Sequence, residues 1–415
     1  MKQNIFKALA ALALSTVLVT CVVNAAAEHM SDTEVKNTGD NIKAPVSAAE
    51  VTQVLSEDNK DIQPTATKDG EQSPEAVVTQ VPAIKVKVKK WDEEKLKALF
   101  ISPEDSFEYT ERPAQMFNEG RRCLYDGVKG TDKEEFWLGY ETGNLTAEYQ
   151  SNMKGHLHLA SALKVYDYGD YFGDKDLSLF TREDAKNMVS PILAQLGITN
   201  AGEPEIHAFT AENANEYLAK DGYGAKGDLE FTYPTWSKED EMYILTYPLV
   251  YDGLPLTTES LSKGELDGKF IPYSGSYIEA VVTKDKILSI RGFNVFSSDY
   301  EKGESVTVKC DYESALEKGK DYYKNYTEEF NNTGYMGTYD YQIESCQLVY
   351  TPYFDDDEYA ELYTEKEGLA ITEDYEFTLI PVWKVDATLG HSENYLSYQR
   401  KNECIFINAQ TGEVM

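Results

Sequence analysis

Few residues in this 415-residue chain stand at spacings that chemistry needs. His156-Leu157-His158 sets two imidazoles on one face of an extended segment, and Asp167 or Asp170 would add a carboxylate, a donor set that suits zinc. Two solvent-facing histidines on an edge strand is the simpler reading. His207 and His391 have no local partner in the sequence. Asp355-Asp356-Asp357-Glu358 and the group Asp167, Asp170, Asp174 and Asp176 offer the oxygens that calcium takes. The EF-hand pattern D-x-[DN]-x-[DN]-G-x5-E is missing, so both groups read as solvated acidic loops. Ser161-Ala162-Leu163-Lys164 has the S-x-x-K order of a penicillin-binding serine nucleophile. It lacks the K-T-G that this chemistry also needs, and Ser161 falls in a strand-like run. No G-x-S-x-G, H-E-x-x-H, P-loop or G-x-G-x-x-G occurs. The residues assign no catalytic group, cofactor or metal, and the chain reads as non-enzymatic.

Recognition is better supplied. The chain has 30 tyrosines, and a phenol combines a flat apolar face with a hydroxyl, which suits protein or sugar contacts. The segment 258–277, TESLSKGELDGKFIPYSGSY, joins two strand-like runs at a length that is often functional. Phe270, Tyr273 and Tyr277 are its candidate contacts. Charge narrows the partners. Lys and Arg total 39 against 72 Asp and Glu, a net charge of −33. Nucleic acid and anionic lipid both require a basic face, so this balance argues against them.

The N-terminus implies export. Residues 1–27 carry Lys2 and Lys7, then an uncharged apolar run, then Ala25-Ala26-Ala27, the order of a cleavable signal peptide. Cys21 is a candidate lipidation site, although Thr20 precedes it where a lipobox places a small residue such as Gly or Ala. Cleavage after Ala27, lipid at Cys21 and an uncleaved anchor are the alternatives. Residues 28–83 contain no Phe, Trp or Tyr and are rich in acid, Ala, Ser and Thr. Such a segment buries too little to offset its ordering entropy, so it reads as a disordered acidic spacer. Cys123, Cys310, Cys346 and Cys404 follow. Two disulfides are permitted in an exported chain, but strand-like surroundings favour buried free thiols.

The elements that position these residues begin at 84. IKVKVKK alternates with period two and predicts a half-buried strand. Asp92 then caps a short helix to Phe100. FWLGYETGNLTAEYQSN predicts a hairpin turning at Thr142-Gly143-Asn144. Thr181 and Asp184 form a capping pair ahead of the stripe Ala185, Met188, Val189, Ile192, Leu193 and Leu196, with Pro191 inside the helix and Gly197 ending it. A second helix after Asp311 repeats the stripe through Ala315, Gly319, Tyr322 and Tyr326. Strand-like runs follow each helix, with Pro248 and Pro381 at matching places. The expected fold is therefore α+β, with tandem units of one amphipathic helix packed on an antiparallel sheet. The expected boundaries are an N-terminal α+β region at 84–179, unit 1 at 180–304 and unit 2 at 305–415.

The terminal run Pro381-Val382-Trp383 … Asn408-Ala409-Gln410-Thr411-Gly412-Glu413-Val414 resembles the end of PepSY-like domains. Signal, spacer and body together resemble uncharacterised clostridial-type Gram-positive surface lipoproteins. The resemblance implies PepSY-like units and an extracellular, surface-held protein that binds or regulates another envelope protein, such as a protease or sensor. Its alternatives are a surface module for a glycan or small solute, and a hydrolase whose carboxylates the sequence does not single out.

Overall fold

A computed structural model describes residues 79–114, 120–130, 133–149, 175–220, 235–259, 275–333, 338–354, 363–364, 368–369, 371–392 and 401–415. The signal, Cys21, most of the spacer, His156, His158, Ser161, Lys164, Asp167, Asp170, Phe270, Tyr273 and the 355–358 acids lie outside them.

The architecture is mostly β. The strands are β1 (Thr79–Val88), β2 (Ser106–Pro113), β3 (Arg121–Lys129), β4 (Glu134–Glu141), β5 (Asn144–Tyr149), β6 (Glu205–Phe209), β7 (Met242–Pro248), β8 (Val250–Tyr251), β9 (Leu254–Pro255), β10 (Tyr277–Thr283), β11 (Ile287–Phe293), β12 (Phe296–Val308), β13 (Thr338–Tyr353), β14 (Tyr363–Thr364), β15 (Gly368–Leu369), β16 (Glu376–Ser392) and β17 (Lys401–Asn408). The α-helices among the described residues are α1 (Glu93–Phe100), α2 (Arg182–Gln195), α3 (Ala211–Lys220) and α4 (Tyr312–Thr333). An eight-stranded sheet runs β2-β3-β4-β5-β11-β10-β7-β6, and its pairs are all antiparallel. A five-stranded sheet runs β12-β1-β16-β13, with β17 also paired to β16.

This topology corrects the expected tandem units. The eight-stranded sheet joins β2–β5, from the region expected to stand alone, to β6, β7, β10 and β11 of unit 1. The five-stranded sheet takes β1 from the N-terminus and seats it between β12 and β16. The physical reason is pairing. Period-two alternation shows that a segment is a strand with one buried face, but not which sheet edge it will satisfy. Strand β1 also starts at Thr79, inside the expected spacer, because Thr79 to Pro82 pair with β12.

Local signals are realised closely. Ile84, Val86 and Val88 are buried while Lys85 and Lys87 are exposed. Asp92 caps α1 by accepting the Lys95 N–H. Thr181 and Asp184 cap α2 reciprocally, and the helix continues through Pro191. Gly197 takes a positive φ of 68°, and Ile198 donates back to Leu193 to close the helix end. The turn Thr142-Gly143 joins β4 to β5. Gly143 also docks on the five-stranded sheet: its N–H donates to Lys89, its carbonyl accepts from Val295, and a Cβ there would lie 2.6 Å from Val88.

One apolar core includes Ile84, Val86, Phe296, Tyr350 and Phe377 from the smaller sheet, Leu138, Leu145, Leu245 and Ile278 from the larger, and Leu96, Val189 and Leu193 from α1 and α2. Helix α4 covers a second core around Ala315, Tyr323, Val385 and Ile407. Gly319 lets it approach so closely that an added Cβ would lie 2.6 Å from Val385. All four described cysteines are free, and Cys123, Cys310 and Cys346 are buried.

One proline marks where a strand changes partners. Pro381 lies within β16, not at a sheet edge. The β1 pairing ends at Leu379 and the β17 pairing begins at Val382. A residue without an N–H therefore falls in the gap between two strands that meet end to end.

Helix α1 is tied to the larger sheet by Glu93, which pairs with Lys97 at 2.6 Å and accepts the Tyr125 hydroxyl at 2.9 Å. Chiefly Lys97, opposed by burial and helped by Tyr125, holds its carboxyl down at about 2. A depressed carboxyl stabilises the fold above its unfolded value and loses that contribution as pH falls towards the folded value. Unfolding free energies of wild type and Glu93→Gln should differ at pH 7 and converge between about pH 4.5 and pH 2. A difference independent of pH would contradict the assignment.

Candidate functional site

The segment singled out for recognition starts and ends at a seam between the sheets. Leu256 bridges Tyr350 of β13, and the Thr257 N–H donates to the Tyr350 carbonyl. Ser276 donates to Thr257 at 3.0 Å, which draws the two feet of the segment together. The next residue, Tyr277, opens β10 in the other sheet. It is half-buried, with its ring 4.7 Å from that of Phe293. Burial, followed by the charges of Glu279 and Glu259, pushes its hydroxyl well above the ordinary range. Of the three candidate contacts, Tyr277 is thus a packed strand residue, while Phe270 and Tyr273 belong to the undescribed part.

A charge cluster anchors the first foot. Lys384 on β16 lies 2.8 Å from Asp386 and 3.8 Å from Glu259. Ser345 on β13 donates to Asp386. Lys384 is buried, and burial works against its charge, but Asp386 and then Glu259 outweigh that effect and hold it protonated. Cys404 faces Asp386 across the ladder, and burial pushes its thiol up to about 12. Burial likewise holds Cys346 at about 12. A nucleophilic cysteine works as the thiolate, so neither thiol is activated near neutral pH. The cluster is arranged to hold a segment in place.

A second buried charge group crosses the larger sheet. The register aligns Glu205, Thr246, Glu279, Arg291 and Thr146 in one row, with Ser289, Glu148 and Trp137 in the next. Arg291 donates to Glu148 through Nε at 2.9 Å and Nη2 at 2.6 Å, and lies 4.0 Å from Glu279. Burial opposes its charge, but Glu148 and then Glu279 hold its pKa above the ordinary arginine range. The Ser289 hydroxyl beside them is buried, with no hydrogen-bond partner among the described residues. Sequence reasoning missed both clusters. Their signal was present as polar residues on the alternate positions of strands such as LTAEY and WKVD, but only pairing gathers them. His207 is also corrected: its Nε2 lies 3.1 Å from Glu205 on the same strand. Among the described residues, no group of three or more His, Cys, Asp or Glu is placed to hold a metal ion.

The fold has relatives among solved structures. An uncharacterized protein from Eubacterium rectale superposes with a TM-score of 0.56 over 81% of this chain and 86% of its own, at 16% identity. That likeness is one of fold. The YpeB C-terminal domain of Bacillus megaterium is a distant neighbour, with a TM-score of 0.31 and 8% identity over 78% of this chain and 94% of its own. No protein-family model matches the sequence, and no curated protein does.

The two partners of Lys384 should respond unequally. Lys384→Ala removes the buried ammonium and leaves the half-buried Asp386 beside no cation, and should cost about 1–3 kcal/mol in chemical denaturation. Glu259 is half exposed, so Glu259→Gln should cost less than about 1 kcal/mol. Equal costs would show that the cluster does not rest on the Lys384–Asp386 pair.

Proposed function

We propose that this chain is an exported cell-envelope protein that acts by binding, and so regulating, another envelope protein, without catalysing a reaction. The observation that carries the reading is the order of the sequence: an export signal pattern at 1–27, an aromatic-free acidic stretch, then a body holding every remaining aromatic residue. Such an order suits a domain held off a surface by a spacer. Lipid at Cys21, cleavage after Ala27, and kinship with clostridial-type surface lipoproteins belong to this proposal. So does a PepSY-like end to the chain. Its support is the local turn, in which Gly412 has a φ of 74° and Asn408 Oδ1 accepts the N–H groups of Gln410 and Thr411.

The site chemistry agrees with binding. Lys384 and Arg291 are held as permanent cations by carboxylates, and Cys346 and Cys404 are held as neutral thiols. A second reading, recognition of a glycan or small solute, draws on the adjacent sheet positions Glu148, Ser289, Arg291 and Trp137, of which Arg291 and Trp137 are half-buried. Planar polar groups beside an indole suit hydroxyl-rich ligands.

Fractionation of source cells, followed by cross-linking capture of the tagged full-length protein from intact envelopes, tests the proposal. We expect the protein in the envelope or medium and one partner captured in constant proportion. Cytoplasmic residence, or capture equal to that of an unrelated acidic control, would overturn it. A glycan array and a solute thermal-shift panel would then decide the second reading.

A further inference from the structure

The terminal strand of the eight-stranded sheet is unusually bare. Among the described residues β2 pairs with β3 alone. Its residues Glu108 to Pro113 are all exposed, and Tyr109 retains 47% of its surface. Native edges are commonly blunted by charge and proline, and Glu108, Glu111, Arg112 and Pro113 would serve to repel a foreign strand. Their order, however, is complementary to itself.

We propose that β2 is a self-recognition edge, at which two copies of this chain join their eight-stranded sheets antiparallel about a two-fold axis through Thr110. The axis sets Glu108 opposite the second copy's Arg112 and Arg112 opposite its Glu108, with Thr110 opposite itself. Alternate positions share a face, so each pair meets on one side of the joined sheet. Within one copy these charges cannot meet, because four residues of extended chain set them roughly 13 Å apart. Both are exposed, and neither makes a hydrogen bond or ion pair among the described residues. The register is selective. A shift of two residues one way sets Glu111 against Glu111, and the other way leaves Arg112 beyond any acid of the facing strand's centre. Tyr109 and Glu111 form the next opposed pair, and within one copy the Tyr109 hydroxyl already donates to Glu111 at 2.8 Å. The edge of the smaller sheet is less suited, since Lys302 of β12 is already committed to Asp252. A C2 contact of this kind uses one patch twice and closes, so it stops at the dimer. The inference does not depend on the envelope reading.

Sedimentation equilibrium of the full-length protein tests it, using wild type, Arg112→Glu, and the exchange Glu108→Arg with Arg112→Glu. Wild type should dimerise at micromolar concentration. Arg112→Glu sets like charges opposite each other at both ends and should weaken association about tenfold or more. The exchanged pair should restore wild-type association, because it reverses both signs and keeps the complementarity. Both variants should melt no lower than wild type, since both residues are exposed and within one copy Arg112 faces Arg122 and Glu108 faces Asp126 on β3. A wild type that stays monomeric to about 100 µM would overturn the proposal. So would a dimer whose dissociation constant is unchanged by Arg112→Glu, or an exchanged pair no better than the single variant.

Discussion

The structure depends on one long-range pairing, the insertion of β1 between β12 and β16. Thr79 to Val88 bond to β12 along one side, and Ile84 to Lys87 bond to β16 along the other. Among the described strands β1 alone joins β12 to β16, so without it the smaller sheet would separate into two exposed edges. Loop closure across more than 200 residues costs entropy only logarithmically. The buried faces of Ile84, Val86 and Val88 and the ladders to both neighbours, interrupted towards β12 between Pro82 and Ile84 and between Val86 and Val88, offset it. The residue that follows it, Lys89, ties it to the larger sheet, its backbone bonding to both Gly143 and Val295.

This constraint explains what the sequence shows and what it hides. Caps, stripes and turns are local, and Asp92, Thr181 with Asp184, Gly197, Thr142-Gly143 and Asn408 with Gly412 each perform the role that their chemistry implies. Sheet membership is not local. Pro248 and Pro381 both fall in strands, yet β7 is flanked by β6 and β10, while β16 is flanked by β13 on one side and by β1 and β17 on the other. The expected repeat of helix-on-sheet units fails for that reason. The partial exception is Pro381, whose missing N–H marks the place where β16 changes partners.

The same distinction governs the candidate site. Its aromatic residues stand out in the sequence by type alone, and Tyr277 is a packed strand residue beside Phe293. The charged groups that position the segment, Lys384, Asp386 and Glu259, are invisible as a motif because 125 positions separate Glu259 from Lys384 in the numbering. Burial then decides their chemistry. In a low-dielectric setting a cation persists only beside carboxylates, and a thiol stays protonated. Both outcomes hold here: Lys384 stays a cation beside Asp386, and Cys346 and Cys404 stay neutral thiols.

Native-state hydrogen exchange of the full-length protein tests the central claim most directly, by comparing the amides of Ile84 to Lys87 with those of Val382 to Leu389. The account predicts that both sets exchange only through the same global opening, with equal free energies and equal sensitivity to denaturant. Rapid exchange across β1 while β16 stays protected would show that the inserted strand is an accessory, and would contradict the account.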